Sequence, residues 1–177
     1  IHPFLDGNGR VGRLLITFLL CEKNVLQKPV LYLSHWFKRY RQKYYDRLQA
    51  VRDNGEWEAW LAYFLRGVAE VSEQATRTAR RILMLREDHR TRITDHFGRA
   101  AGNGHRVLET LYRRPIVSVK QVRELTGTTN PAANELVRRF VDQGILVEIT
   151  GQKRNRRYRY EGYVRLFSDG ADEAEAA

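Results

Sequence analysis

The residues best suited to chemistry open the chain, in the string HPFLDGNGRVGR that runs from His2 to Arg13. Gly7-Asn8-Gly9 permits a tight turn, and the first backbone amides of a helix have no partner within that helix. Together with the helix dipole, such amides form a favourable site for phosphate. Arg10 and Arg13 share one helical face, where their guanidinium groups can hold further phosphate oxygens. The pattern predicts a site for an anion the size of a triphosphate.

Two further side chains of the string suit a transfer reaction. Asp6 precedes the turn, where its carboxylate would repel phosphate unless a magnesium ion lay between them, so we predict a metal ligand. His2 titrates near neutral pH, which suits it to take a proton from an attacking hydroxyl. Taken singly, each feature is more often structural than functional, because Asp-Gly-Asn-Gly is good turn sequence in any protein.

As a whole, the string resembles the Fic family signature, His-Pro-Phe-x-Asp-Gly-Asn-Gly-Arg-x-x-Arg, at every fixed position. The resemblance implies transfer of AMP from ATP to a Ser, Thr or Tyr hydroxyl of a target protein, with His2 as general base and Asp6 binding Mg²⁺. Doc-like relatives, which transfer the terminal phosphate, typically carry lysine where Gly9 stands, so Gly9 favours nucleotidyl transfer. The nucleotide-binding residues implied in this way are Asp6, Gly7, Asn8, Gly9, Arg10, Gly12, Arg13 and Tyr40. The same resemblance implies helices and a flap before the motif, so we expect the chain to begin inside a larger protein.

The first half of the chain predicts a helical domain. Apolar residues recur at helical spacing from about Asn8 to Glu22, where we expect a mostly buried helix ended by Asn24. Ser34 is a candidate N-cap for a second helix that reaches Asn54, and a third runs from about Trp57 to near His89. The glycines between Gly98 and Gly104 predict a linker.

The second half predicts a winged-helix domain. Three short helices precede a hairpin, with Ser118 as an N-cap and Asn130-Pro131 opening the third helix. We therefore expect a mainly α protein: the C-terminal part of a Fic domain at 1–97, a linker at 98–104, a winged helix-turn-helix domain with a small β-hairpin wing at 105–168, and a disordered tail at 169–177.

A winged helix makes DNA a candidate partner. The helix from about Pro131 to Gln143 would enter a groove, and the basic hairpin would touch the phosphate backbone. A basic hairpin that is merely solvated, on a domain that binds protein, explains the same pattern. The candidate nucleic-acid contacts are Asn134, Arg138, Arg139, Lys153, Arg154, Arg156 and Arg157. The competing hypothesis to the transferase is thus a nucleotide-responsive DNA-binding transcriptional regulator.

Composition sets the remaining expectations. The net charge of +10 favours polyanionic partners, although basic faces are also ordinary solvated surfaces. Cys21 is the only cysteine, which excludes a disulfide framework and favours the reducing cytoplasm. The apolar run Val11 to Cys21 is too short to span a bilayer, so we predict no membrane partner. The remaining candidate partner is a second copy of the chain in a homodimer.

Overall fold

The computed structural model describes residues 3–25 and 33–172, which are mainly helical, as the sequence predicts. The chain divides into two compact units, Ile1–Arg77 (unit 1) and Thr78–Ala177 (unit 2). The elements in chain order are α1 (Asn8–Glu22), α2 (Leu33–Arg39), α3 (Arg41–Asn54), α4 (Trp57–Phe97), α5 (Ala101–Leu111), β1 (Ile116–Ser118), α6 (Val119–Thr126), α7 (Asn130–Asp142), β2 (Leu146–Glu148), β3 (Arg157–Tyr160) and α8 (Glu161–Asp172).

An aromatic cluster forms the core of unit 1. Trp36 and Phe37 of α2 are buried against Tyr63 of α4, and the Trp36 and Tyr63 ring centroids lie 4.6 Å apart. A Cβ at Gly67 would lie 2.6 Å from Trp36, so α4 can approach the indole only through a glycine. The predicted second helix is broken at Tyr40, whose φ of −104° and ψ of 40° separate α2 from α3.

Helix α1 has the predicted bounds, but the expectation that it is mostly buried is wrong. Thr17 is its buried residue. Ile16 and Leu20 pack against the aromatic cluster, so a narrow stripe of the helix meets the core. Apolar side chains outside that stripe are exposed: Val11, Leu14, Leu15, Phe18 and Leu19.

Unit 2 builds its core from helices packed on a small antiparallel sheet. The strand order is β1-β3-β2, with Val117 opposite Tyr158 and Leu146 opposite Tyr160. The Ser118 N-cap is confirmed, since Ser118 and Gln121 form a capping box at the start of α6. The fully buried side chains of this core include Ile93, Phe97, Val107, Leu108, Leu111, Phe140, Ile145 and Tyr160.

The glycine-rich stretch from 98 to 104 has helical backbone. Gly98–Ala100 form a single turn of 3-10 helix and α5 begins at Ala101. Gly104 is buried, and a Cβ there would lie 2.8 Å from Ile93 and 2.9 Å from Phe97. Only glycine therefore fits at this position. The division between units falls instead at Arg77 and Thr78, within α4. Helix α8 follows β3 directly and reaches Asp172, so it includes the start of the predicted tail; residues 173–177 lie outside the described part.

Candidate functional site

The turn before α1 is shaped by Gly7 and by the side chain of Asn8. Gly7 has φ 80° and ψ 3°, the left-handed region that glycine enters without strain. Asn8 Oδ1 accepts from the Phe4 amide at 3.0 Å, and Asn8 Nδ2 donates to the Phe4 carbonyl at 2.6 Å. Both polar atoms of this side chain therefore fix the backbone of the preceding loop.

Backbone amides are available at the start of α1. The Arg10 and Val11 amides donate to the Gly7 carbonyl at 2.9 and 3.0 Å. Within residues 3–25 and 33–172, no acceptor hydrogen-bonds to the amides of Asn8 and Gly9. These free donors at a helix N-terminus are suited to an anion.

The two arginines of the string lie over its glycines. A Cβ at Gly7 would be 3.4 Å from Arg10 Nη2, and a Cβ at Gly9 would be 3.5 Å from Arg13 Nη1. Arg10 Nη2 also pairs with Asp6 Oδ2 at 3.3 Å, where both side chains are largely exposed to solvent. The turn thus places two guanidinium groups beside free backbone donors.

Asp6 is the carboxylate nearest these donors. Its Oδ1 accepts from the Gly7 amide at 2.6 Å, and its side chain is 92% exposed. In the part of the chain that the structure describes, no three His, Cys, Asp or Glu side chains come together as a metal cluster. Mg²⁺ is commonly held by one or two carboxylates together with substrate phosphates and water, so a single exposed carboxylate beside an anion site fits this ion.

The comparisons with known proteins agree with this local geometry. Residues 1–20 match the sequence model of the Fic/DOC family. The opening motif of this chain is therefore similar to that of Fic/DOC proteins. Two similar relatives, each named "Protein adenylyltransferase Fic", come from Aedes aegypti and Culex quinquefasciatus, and each is 40% identical over 74 residues. The match covers 42% of this chain and 13% of each relative, so the chain spans only a small part of their length.

The other predicted residues of the Fic motif, residues 2–13, fall in different settings. Gly12 is exposed on α1, and a Cβ there would meet nothing within 4 Å. His2 lies outside the described residues. Tyr40 lies in the aromatic cluster, with its ring centroid 5.0 Å from that of Trp36, and its carbonyl accepts from Tyr63 Oη at 3.4 Å. The position of Tyr40 is therefore explained by its packing in the aromatic cluster.

The candidate DNA-reading residues of α7 are largely engaged within unit 2. Arg138 Nε and Nη2 both donate to Glu135 at 2.9 Å. Arg139 Nε donates to Glu135 at 3.1 Å and Arg139 Nη1 donates to the Phe97 carbonyl at 2.6 Å. Asn134 Nδ2 donates to the Asn130 carbonyl at 2.9 Å. Sequence reasoning missed Glu135, although a glutamate three and four residues before two arginines is a recognisable pairing signal.

The basic hairpin loop, residues 149–157, is arranged differently. Every residue from Gly151 to Arg157 is exposed. Arg156 lies 3.9 Å from Glu148. In the described part of the chain, no carboxylate lies within 4.0 Å of Lys153, Arg154 or Arg157. Three cations of this loop are therefore free to meet an external anion.

Unit 2 also contains a buried histidine, His89, which the sequence indicates only as a structural or surface residue. His89 is 5% exposed, and its Nδ1 lies 2.7 Å from Tyr160 Oη, which lies 3.3 Å from Tyr112 Oη. Burial lowers the pKa of His89, the neighbouring Asp88 raises it in part, and Arg92 lowers it further. Burial therefore favours the neutral form of this imidazole inside the unit.

Among the described helices, none has both the length and the apolar character needed to cross a membrane.

Proposed function

We propose that this chain carries the phosphate-binding part of a protein adenylyltransferase active site. The proposal is carried by the match of residues 1–20 to the Fic/DOC family, and free donors and two guanidinium groups at the same turn support it. The relatives named as protein adenylyltransferases support the same chemistry. The substrates are ATP and a target protein that presents a Ser, Thr or Tyr hydroxyl.

In the proposed reaction, His2 takes the proton of the target hydroxyl as the oxygen attacks the α-phosphorus of ATP. The bond from this phosphorus to the bridging oxygen of the β-phosphate breaks, and pyrophosphate leaves. The amides of Asn8 and Gly9, with Arg10 and Arg13, hold the phosphates and stabilise the developing charge. Mg²⁺ bound by Asp6 would neutralise phosphate charge. Gly12 is included because of the resemblance alone, since a Cβ there would meet nothing within 4 Å. Tyr40 is the least supported of the proposed nucleotide-binding residues because packing accounts for it.

Labelled ATP tests this proposal. The full-length protein would be incubated with Mg²⁺ and ATP labelled on the α-phosphate, in parallel with ATP labelled on the γ-phosphate. We expect α-label on protein, no γ-label, and loss of α-label in His2→Ala and Arg13→Ala variants. Arg80→Ala, which removes an exposed arginine of unit 2, is the control and should keep wild-type labelling. Transfer of γ-label, or α-label that survives His2→Ala, would overturn the proposal.

The second candidate function is that of a nucleotide-responsive DNA-binding regulator. We propose that the helices α5 to α7 and strands β1 to β3 form a winged helix, whose element order and β1-β3-β2 sheet they share. The three unpaired cations of the basic hairpin loop favour a nucleic-acid partner. Titration of a fluorescent duplex DNA with the protein, with and without ATP, tests this function; a nucleotide-independent affinity would contradict regulation by nucleotide.

Two further expectations concern the cell compartment and the oligomeric state. Cys21 is partly buried and has no disulfide partner in the described residues, which is in keeping with the cytoplasm. The predicted homodimer stays a prediction, which sedimentation of the purified protein would test.

A further inference from the structure

We propose that unit 2 binds duplex DNA through its phosphate backbone alone, with the basic hairpin loop making the contacts and α7 reading no bases. This inference rests on the proposed DNA-binding function and specifies its mode. It follows from a contrast between two sets of cations in one unit.

The hairpin loop presents its charge in a defined shape. Gly151 and Asn155 have φ values of 61° and 54°, and the Thr150 hydroxyl accepts from the Arg157 amide at 3.2 Å. Lys153, Arg154, Arg156 and Arg157 give the loop four positive charges within five residues, and the loop itself contains no acidic residue. A short, turn-stabilised loop of this charge suits contact with consecutive phosphates.

Both arginines of α7 already donate hydrogen bonds within unit 2. An arginine recognises guanine with two N–H groups of its planar fork. The Nε and Nη2 donors of Arg138 already meet Glu135, while Arg139 divides its donors between Glu135 and the Phe97 carbonyl. Freeing Arg139 would also remove a hydrogen bond from the last carbonyl of α4.

The charges of α7 also disfavour contact between this helix and DNA. The helix contains two arginines and two carboxylates, so its formal charge is zero. Hydrogen bonds from Arg138 and then Arg139 lower the pKa of Glu135, so this carboxylate stays ionised. A charged carboxylate at the centre of the helix repels phosphate, whereas the loop attracts it.

Binding through the phosphate backbone predicts a measurable salt dependence of the association constant. If the loop neutralises three or four phosphates, the logarithm of the association constant falls with the logarithm of salt concentration with a slope of about −3 to −4. Each loop cation removed should lower the steepness of that slope by about 1 and weaken all sequences equally.

The test uses fluorescence anisotropy of the full chain with three 20-base-pair duplexes of unrelated sequence, over a range of salt concentrations. One variant removes the loop charges: Lys153→Gln, Arg154→Gln, Arg156→Gln and Arg157→Gln. The matched control removes four exposed arginines elsewhere in unit 2: Arg80→Gln, Arg81→Gln, Arg113→Gln and Arg114→Gln. A third protein carries Asn134→Ala and Arg138→Gln on α7. Circular dichroism confirms that each variant is folded.

We expect the three duplexes to bind within about threefold of one another, the loop variant to lose at least about tenfold in affinity, and the α7 variant to stay within about twofold. The matched control should retain most of the affinity. Binding that survives the loop variant, or a marked preference for one duplex that Arg138→Gln abolishes, would overturn backbone-only binding while leaving DNA binding intact. No binding by the wild-type chain at low salt would overturn the proposed DNA-binding function itself.

Discussion

Helices α1 and α5 are both amphipathic, yet they relate to their surroundings in opposite ways. Val107, Leu108 and Leu111 of α5 are fully buried, whereas Leu14 and Phe18 of α1 are 53% and 54% exposed. The site on α1 is shaped by hydrogen bonds between residues four apart in the chain, while α5 is fixed by residues from several other elements. The turn before α1 is therefore encoded locally, whereas unit 2 owes its structure to tertiary packing.

The contrast in packing predicts that a core substitution in unit 2 has the largest effect on the free energy of unfolding. Phe140 is fully buried, with its ring centroid 4.9 Å from that of Phe97. Phe140→Ala should lower the free energy of unfolding of unit 2 by roughly 3 to 5 kcal/mol. Phe18→Ala on α1, the matched control, should cost about 1 kcal/mol or less because the ring is already half exposed.

Urea titration can follow the two units separately, since the three tryptophans, Trp36, Trp57 and Trp60, all lie in unit 1. Phe140→Ala should shift the transition seen by circular dichroism and leave the tryptophan transition of unit 1 in place. Equal losses for Phe140→Ala and Phe18→Ala would break the comparison.

A second prediction concerns two glycines of α5. Gly104→Ala should destabilise unit 2 by about 1 to 3 kcal/mol, because the new Cβ would overlap Ile93 and Phe97. Gly102→Ala, where a Cβ would meet nothing within 4 Å, should stabilise the helix by up to about 1 kcal/mol. Thermal unfolding of the two variants measures the difference, and destabilisation by both would mean that α5 is strained rather than closely packed at Gly104.

A third prediction compares how the helices begin. The N-cap of α1 makes no side-chain hydrogen bond, whereas α6 begins with the Ser118 capping box. Ser118→Ala should cost about 1 kcal/mol in urea unfolding. A Ser118→Asp variant, which keeps an acceptor for the helix amides, should recover most of this loss; a full loss in both variants would show that the hydroxyl acts otherwise.

The smallest expected effect is a dependence of unit 2 stability on pH. The pKa of buried His89 is lowered in the folded protein, so the unfolded chain binds a proton more readily. The stability that the neutral imidazole contributes is present above the ordinary histidine pKa and falls as the pH drops below it. His89→Gln should show a flatter loss of unfolding free energy between pH 7 and pH 5, and an unchanged slope would exclude His89 as its source.

Sequence patterns predicted the features that depend on neighbours in the chain. The bounds of α1 and the Ser118 cap follow from local signals, since Gly7, Asn24 and Gln121 act within a few residues. The motif turn belongs to the same class, which is why a string of twelve residues was enough to indicate the family.

Features that depend on distant residues escaped prediction. Strand β1 has three residues and forms because β3 pairs with it, so its own sequence carries little signal. Gly104 has the appearance of a linker residue, but its role is to admit Ile93 and Phe97. Helix α8 follows a strand without a turn, and Gly162, the second residue of the helix, is a poor helix former, so the sequence gives little signal for its start.

The side chain of Asn8 is a position at which chemical ageing would alter the turn before α1. It acts as both donor and acceptor toward Phe4, and only an amide of this length offers both functions there. Asn-Gly sequences are prone to deamidation, which would replace Nδ2 by a carboxylate oxygen facing the Phe4 carbonyl. Two acceptors would then meet where a hydrogen bond of 2.6 Å had been. We therefore expect the turn before α1 to lose its shape on storage, without any mutation of the gene.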